Sequence, residues 1–98
     1  MSGMQLTPES RAERLRTVLE RAFTPTRLDI TDDSARHAGH AGAAPGGQTH
    51  YSVVLVSPRF RGCSRVERSR LVHQALEAEF AGGLHALALT LRAPEEPT

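Results

Sequence analysis

The stretch Ser57-Pro58-Arg59-Phe60-Arg61-Gly62 leads into a helix-like segment that runs to Phe80 and closes on Gly82-Gly83-Leu84-His85-Ala86-Leu87-Ala88-Leu89-Thr90-Leu91. Its reading decides the fold. Ser64-Arg65-Val66-Glu67 has capping-box spacing, in which the serine hydroxyl and the glutamate carboxylate each accept from the other's free backbone amide. A helix is therefore expected from Ser64. Val66, Val72, Ala75, Leu76 and Phe80 recur at roughly helical spacing, which predicts one buried face with Arg65, Arg68, Arg70, Glu77 and Glu79 left in water. Gly82-Gly83 ends the helix, since glycine accepts left-handed backbone. Leu84 to Leu91 then reads as a strand with His85 inside an otherwise apolar run. That histidine has two readings: a core or half-exposed imidazole with one hydrogen bond, or a metal ligand held on rigid scaffold.

Upstream, His50 to Ser57 is the clearest strand, with Val53, Val54 and Val56 beside Tyr51 and Leu55, and its near-continuous apolarity predicts a central position. Earlier still, Thr7-Pro8-Glu9 supplies an N-cap, a proline at the first helical position and an acid near the positive helix end. The first helix follows, with Ala12, Leu15, Val18, Leu19, Ala22 and Phe23 as its apolar stripe and Arg11, Glu13, Arg14, Arg16 and Glu20 outside it. Thr24-Pro25 stops it, and Leu28 and Ile30 alternate with Asp29 and Thr31 as a short half-buried strand. From Asp32 to Gln48 the chain turns to Asp, Ala, Gly, His and Pro, too glycine-rich to pack and too long for a tight hairpin, so 32–48 is expected as a flexible loop. The order is helix, strand, strand, helix, strand, with a helical turn around Arg59 to Gly62. Two helices on one face of a three-stranded mixed sheet is the simplest α+β closure. Residues 1–6 and 93–98 read as flexible tails around one domain over 7–92.

These residues together resemble the BolA family. The resemblance is carried by Ser57-x-x-Phe60-x-Gly62, the arginine-rich Arg68-Ser69-Arg70, Leu76, His85-Ala86-Leu87-Ala88-Leu89, the run Thr49-His50-Tyr51-Ser52-Val53-Val54-Leu55-Val56-Ser57 and the variable loop from Asp32 to Gly42. It covers about nine tenths of the chain. Two departures stand out: Ser69 where the family usually has histidine, and Cys63 at a variable position. The resemblance implies the αββαβ arrangement similar to the class II KH fold. It also implies a monothiol glutaredoxin as partner, the two proteins holding a bridging [2Fe-2S] cluster. The glutaredoxin cysteine and a glutathione thiol ligate one side, and the strand histidine and a loop residue ligate the other. Carried over by position, these are His85 and His37, with His40 as the alternate. Alone, the protein is expected to carry no cofactor.

Composition bounds the rest. With 98 residues and 39% of them apolar, the chain supports one modest core, and four aromatics without tryptophan make it aliphatic. A single cysteine excludes an internal disulfide, and with no charged-then-apolar leader the expected compartment is cytoplasmic. No apolar run approaches the roughly 20 residues of a membrane span.

His37 and His40, three apart, converge on a metal only if their loop folds back, and they also read as solvated loop residues. The third and fourth ligands of an all-protein zinc site are missing. His50 has no ligand role that spacing assigns, and His73, near the apolar stripe, reads as structural. Net charge is only +1, yet Arg59, Arg61, Arg65, Arg68 and Arg70 fall within twelve residues opposed only by Glu67. That cluster supports an alternative, a DNA-binding transcriptional regulator acting through helix 64–80 by neutralising phosphates, a role the resemblance also implies. The competing reading is a solvated face or one that docks an acidic partner. Gly39-His40-Ala41-Gly42, the one Gly-x-x-Gly, lies between strands, which disfavours KH-style RNA binding. No nucleophile, base and orienting acid group in sequence, so no enzyme is expected. A weak homodimer is a further form the sequence leaves open.

Overall fold

The computed structural model describes residues 10–33 and 50–97. The expected tail 1–6, the Thr7-Pro8-Glu9 helix start and residues 34–49, with His37 and His40, lie outside the described residues.

Helix α1 spans Arg11–Phe23 and is capped by Ser10, not Thr7. Ser10 Oγ accepts from the Glu13 amide at 3.2 Å and Glu13 Oε1 accepts from the Ser10 amide at 2.9 Å. The physical reason is the returning carboxylate: a cap at Thr7 would place Ser10 at the third helical position, where no acid could complete the box. Leu15, Leu19 and Phe23 are buried along the stripe expected of this helix. Thr24, in left-handed backbone at φ 45°, ends it.

Strands β1 (Arg27–Asp32), β2 (His50–Val56) and β3 (Ala86–Arg92) form one sheet in the order β1-β2-β3. β1 runs antiparallel to β2, and β3 runs parallel to it. The sheet is thus mixed, as expected. Leu28 and Ile30 sit opposite Leu55 and Val53, while Leu87, Leu89 and Leu91 pair with Tyr51, Val53 and Leu55. The period of two puts all eight on one face. Against them pack Leu15, Leu19 and Phe23 from α1 with Phe60, Val72, Leu76 and Leu84. Between β2 and the second helix, a 3-10 turn at Pro58–Phe60 is held by Ser57, whose buried hydroxyl accepts from the Arg59 amide and donates to the Phe23 carbonyl.

The second helical region differs from expectation. It breaks at Leu76 into α2 (Arg65–Ala75) and α3 (Glu77–Ala81). Its Ser64–Glu67 capping box is present, and the Ser64 amide and hydroxyl hold the Glu67 carboxyl below its ordinary range. The inward stripe, however, is rotated. Val66 is 64% exposed and Arg68 only 8%. Arg68, Val72 and Leu76 follow one another at intervals of four and so share a face, whereas Val66 lies well round the helix from it. Arg68 is accommodated because its stem packs and its guanidinium finds acceptors. Glu79, expected in water, is 12% exposed and takes Arg11 and Arg14 at 3.0 and 2.9 Å, tying α3 to α1.

β3 begins at Ala86, so His85 precedes the strand and is exposed, while Leu84 is buried. The chain after β3 is no free tail over the described residues. Ala93 is buried, and its amide donates to Glu96 Oε1 at 2.8 Å.

Candidate metal centre and arginine face

Parallel pairing of β2 with β3 sets His50 opposite Ala86, one residue beyond His85. The two imidazoles lie with ring centroids 6.1 Å apart and planes at 83°. At the same sheet end Asp33 donates its amide to the His50 carbonyl at 2.7 Å, and Ser52 Oγ hydrogen-bonds the Asp33 carboxylate. Asp33 and His50, the described residues on either side of 34–49, thus share this sheet end, with His50 near His85. Of the expected ligands, the structure places His85 at this sheet end and sets His50, to which spacing assigned no role, against it. The sequence signal was available: the matching alternations of Tyr51-Val53-Leu55 and Leu87-Leu89-Leu91 align His50 with Ala86.

Neutral imidazoles suit borderline metals. Among the described residues no group of three or more His, Cys, Asp or Glu gathers to hold a metal ion. The described residues thus bring two imidazoles together and no third donor. His73 lies outside it, stacked on Phe80 at 5.1 Å with Nδ1 2.9 Å from the Ser69 carbonyl oxygen. Cys63 Sγ lies 3.7 Å from the Arg59 carbonyl oxygen, in the connection between the 3-10 turn and α2.

At the other end of β3, two of the five cluster arginines are neutralised within the chain. Arg68 meets Glu96 bidentately, at 2.6 and 3.0 Å, while also donating to the Cys63 and Leu91 carbonyls. Its Cζ sits 5.8 Å from the Phe60 ring centroid. The Arg68 hydrogen bonds, joined by the Ala93 amide, hold the Glu96 carboxyl down at about 2. Arg61 Nε reaches both Glu95 oxygens at 3.0 and 2.9 Å, on the surface. Expected as a wet phosphate ligand, Arg68 is instead a buried structural clamp, because the returning C-terminal segment supplies its carboxylate. Arg59, Arg65 and Arg70 are exposed.

A small α+β domain with an exposed histidine set against a half-buried one at one end of its mixed sheet is the class this geometry defines. The family profile described as BolA-like protein matches residues 19–96. The chain belongs to the BolA family. It is 45% identical over 82 residues to BolA-like protein 1 of Bos taurus, covering 84% of this chain and 58% of that protein. It is 41% identical over 91 residues to the SufE-like protein 1, chloroplastic/mitochondrial, of Arabidopsis thaliana, covering 89% of this chain and 24% of that protein. The chain thus spans little more than half the length of its BolA-like 1 relatives. Among solved structures it is similar to BolA1 from Arabidopsis thaliana, with a TM-score of 0.81 and 41% identity over 93% of this chain and 100% of that one. The BolA domain of SufE1 from the same plant gives 0.80 and 38% over 93% and 100%. Relatives are named as BolA-like proteins. Among the described residues no helix is long and apolar enough to cross a membrane.

Proposed function

We propose that this BolA-like protein works without catalysing a reaction, by docking a monothiol glutaredoxin and co-ligating a bridging [2Fe-2S] cluster for iron-sulfur trafficking or sensing. The observation that carries the reading is the exposed His85 at the sheet end, set against His50 at 6.1 Å between ring centroids. The cluster is cargo, and this chain's part is to present imidazole donors. His85 is one ligand and a histidine of the loop, His37 or in its place His40, the other. Imidazole in place of thiolate raises cluster potential and ties ligation to the neutral ring, which suits release better than storage. A reducing compartment such as the cytoplasm keeps the partner's thiols and Cys63 reduced.

Mixing the protein with a cluster-loaded glutaredoxin homodimer and glutathione under anaerobic conditions tests this. Conversion to a heterodimer with altered visible absorption and circular dichroism is expected. Spectra and elution volume that stay those of the homodimer at every mixing ratio would remove the proposal. The DNA-binding alternative rests on fewer groups, Arg59, Arg65 and Arg70, because Arg61 and Arg68 already hold carboxylates. If real, its affinity falls steeply with salt, with a log-log slope of about 0.9 per phosphate contacted.

A further inference from the structure

The end of β3 opposite the imidazoles carries a second feature. Between α2 and the free edge of β3 lies a groove of about 220 Å³, lined by Arg65, Arg68, Ser69 and the strand from Leu89 to Arg92. A neighbouring cavity of about 340 Å³ shares Arg65, Arg68 and Arg92 and contains Glu96. Three arginines, Arg65, Arg68 and Arg92, thus line both of these adjacent cavities, and Glu96 lines the second.

That carboxylate shows how the depression handles an oxyanion. Glu96 sits bidentately on Arg68, the planar fork geometry that also fits phosphate. Arg68 is thereby satisfied, and Arg65 and Arg92 are left to balance. Arg92 is held in place by backbone oxygens alone: its Nε donates to the Pro97 carbonyl at 3.0 Å and its Nη1 to the Leu91 carbonyl at 2.9 Å. It is pre-oriented at little entropy cost and acts on the Glu96 carboxylate only at a distance, without an ion pair, while Arg65 forms no ion pair with a described residue. Ser69, on α2, adds a hydroxyl-bearing residue to the lining.

We infer that the α2–β3 groove is a binding site for a small phosphomonoester, its phosphoryl group held by Arg65 and Arg92 with Ser69. Two guanidinium groups lining one groove match a dianionic phosphoryl group better than a carboxylate, which would leave one of them uncompensated. Pockets for drug-sized ligands begin at about 300 Å³, so this groove admits a phosphoryl head with a small body and not a dinucleotide. β3 rises about 3.3 Å per residue, which sets the groove's strand residues, Leu89 to Arg92, roughly 13 to 23 Å from His85. The site therefore stands whether or not the cluster reading does.

The test titrates the isotope-labelled full chain, without glutaredoxin, with phenyl phosphate, and follows backbone amides by NMR. Saturable shifts confined to Ser69 and Leu89 to Arg92 are expected. Arg65→Glu, at an exposed position, weakens binding by about tenfold or more while the rest of the spectrum is retained. Arg92→Gln has the same effect, and Arg59→Gln and Arg70→Gln have none. Phenyl phosphate that fails to saturate by roughly 20 mM overturns the site, as do shifts reproduced by equal ionic strength of sodium chloride. A single-stranded decanucleotide that binds through Arg59 and Arg70 while phenyl phosphate does not bind would identify a polyanion surface and likewise reject the small-ligand site.

Discussion

The two ends of β3 treat their polar groups in opposite ways. At its C-terminal end the chain closes on itself: Arg68 is buried and saturated by Glu96, Cys63 and Leu91, and Arg61 is neutralised by Glu95. At its N-terminal end His85 is exposed and stands next to a second imidazole, and among the described residues no group of three or more metal-binding side chains gathers there. One end spends its chemistry on folding. The other leaves His85 facing outward, which is the arrangement the proposed shared centre requires. The comparison predicts that stability and cluster function separate cleanly by residue.

The largest stability effect belongs to Arg68. Arg68→Ala strands the Leu91 and Cys63 carbonyls and empties space over Phe60, and should cost about 2 to 3 kcal/mol in urea denaturation. A loss below about 1 kcal/mol would mean the clamp is replaceable by water.

Acid comes next. Glu96 has its folded-state pKa depressed to about 2 from 4.5, so its contribution is fully present above the unfolded value and is lost as pH falls from about 5 through 2. The difference in melting temperature between the wild type and Glu96→Gln should accordingly shrink across that window and be near its maximum at pH 7. A difference that grows on acidification would reverse the assignment.

Arg61→Gln should then change stability by no more than about 0.5 kcal/mol, because the Arg61–Glu95 pair is exposed on both sides and screened. A larger loss would show that the C-terminal segment depends on both arginines. Smallest of all is the stability effect of His85→Ala, expected within about 0.5 kcal/mol because the side chain is exposed.

Local signals in the sequence were reliable where neighbours within four residues decide the outcome. The Ser64–Glu67 box, the alternation in β2 and the α1 stripe were readable because each is satisfied by its own segment. Arg68 was not, since its acceptor Glu96 lies 28 residues away and nothing local distinguishes a clamped arginine from a solvated one. Val66 was misplaced for the same reason: the helix rotates to bury Arg68, Val72 and Leu76, and the valine is carried outward. Ser10 could have been found, since Ser10-Arg11-Ala12-Glu13 is itself a capping box; the proline at position 8 drew the start too early. At the candidate site, His85 was legible from its apolar surroundings and the family resemblance. Its approach to His50 needed the parallel register, a long-range property of two strands joined through a helix.

The claim that the outward-facing end is the functional one is tested most directly by iron bound per heterodimer. Wild type and His85→Ala are each mixed anaerobically with the same cluster-loaded monothiol glutaredoxin and glutathione, at one pH above about 7. The account predicts one [2Fe-2S] cluster per wild-type heterodimer and loss of the bridged complex in His85→Ala, with the variant's urea midpoint unchanged. Wild-type iron content in His85→Ala, in a protein of unaltered stability, would contradict it.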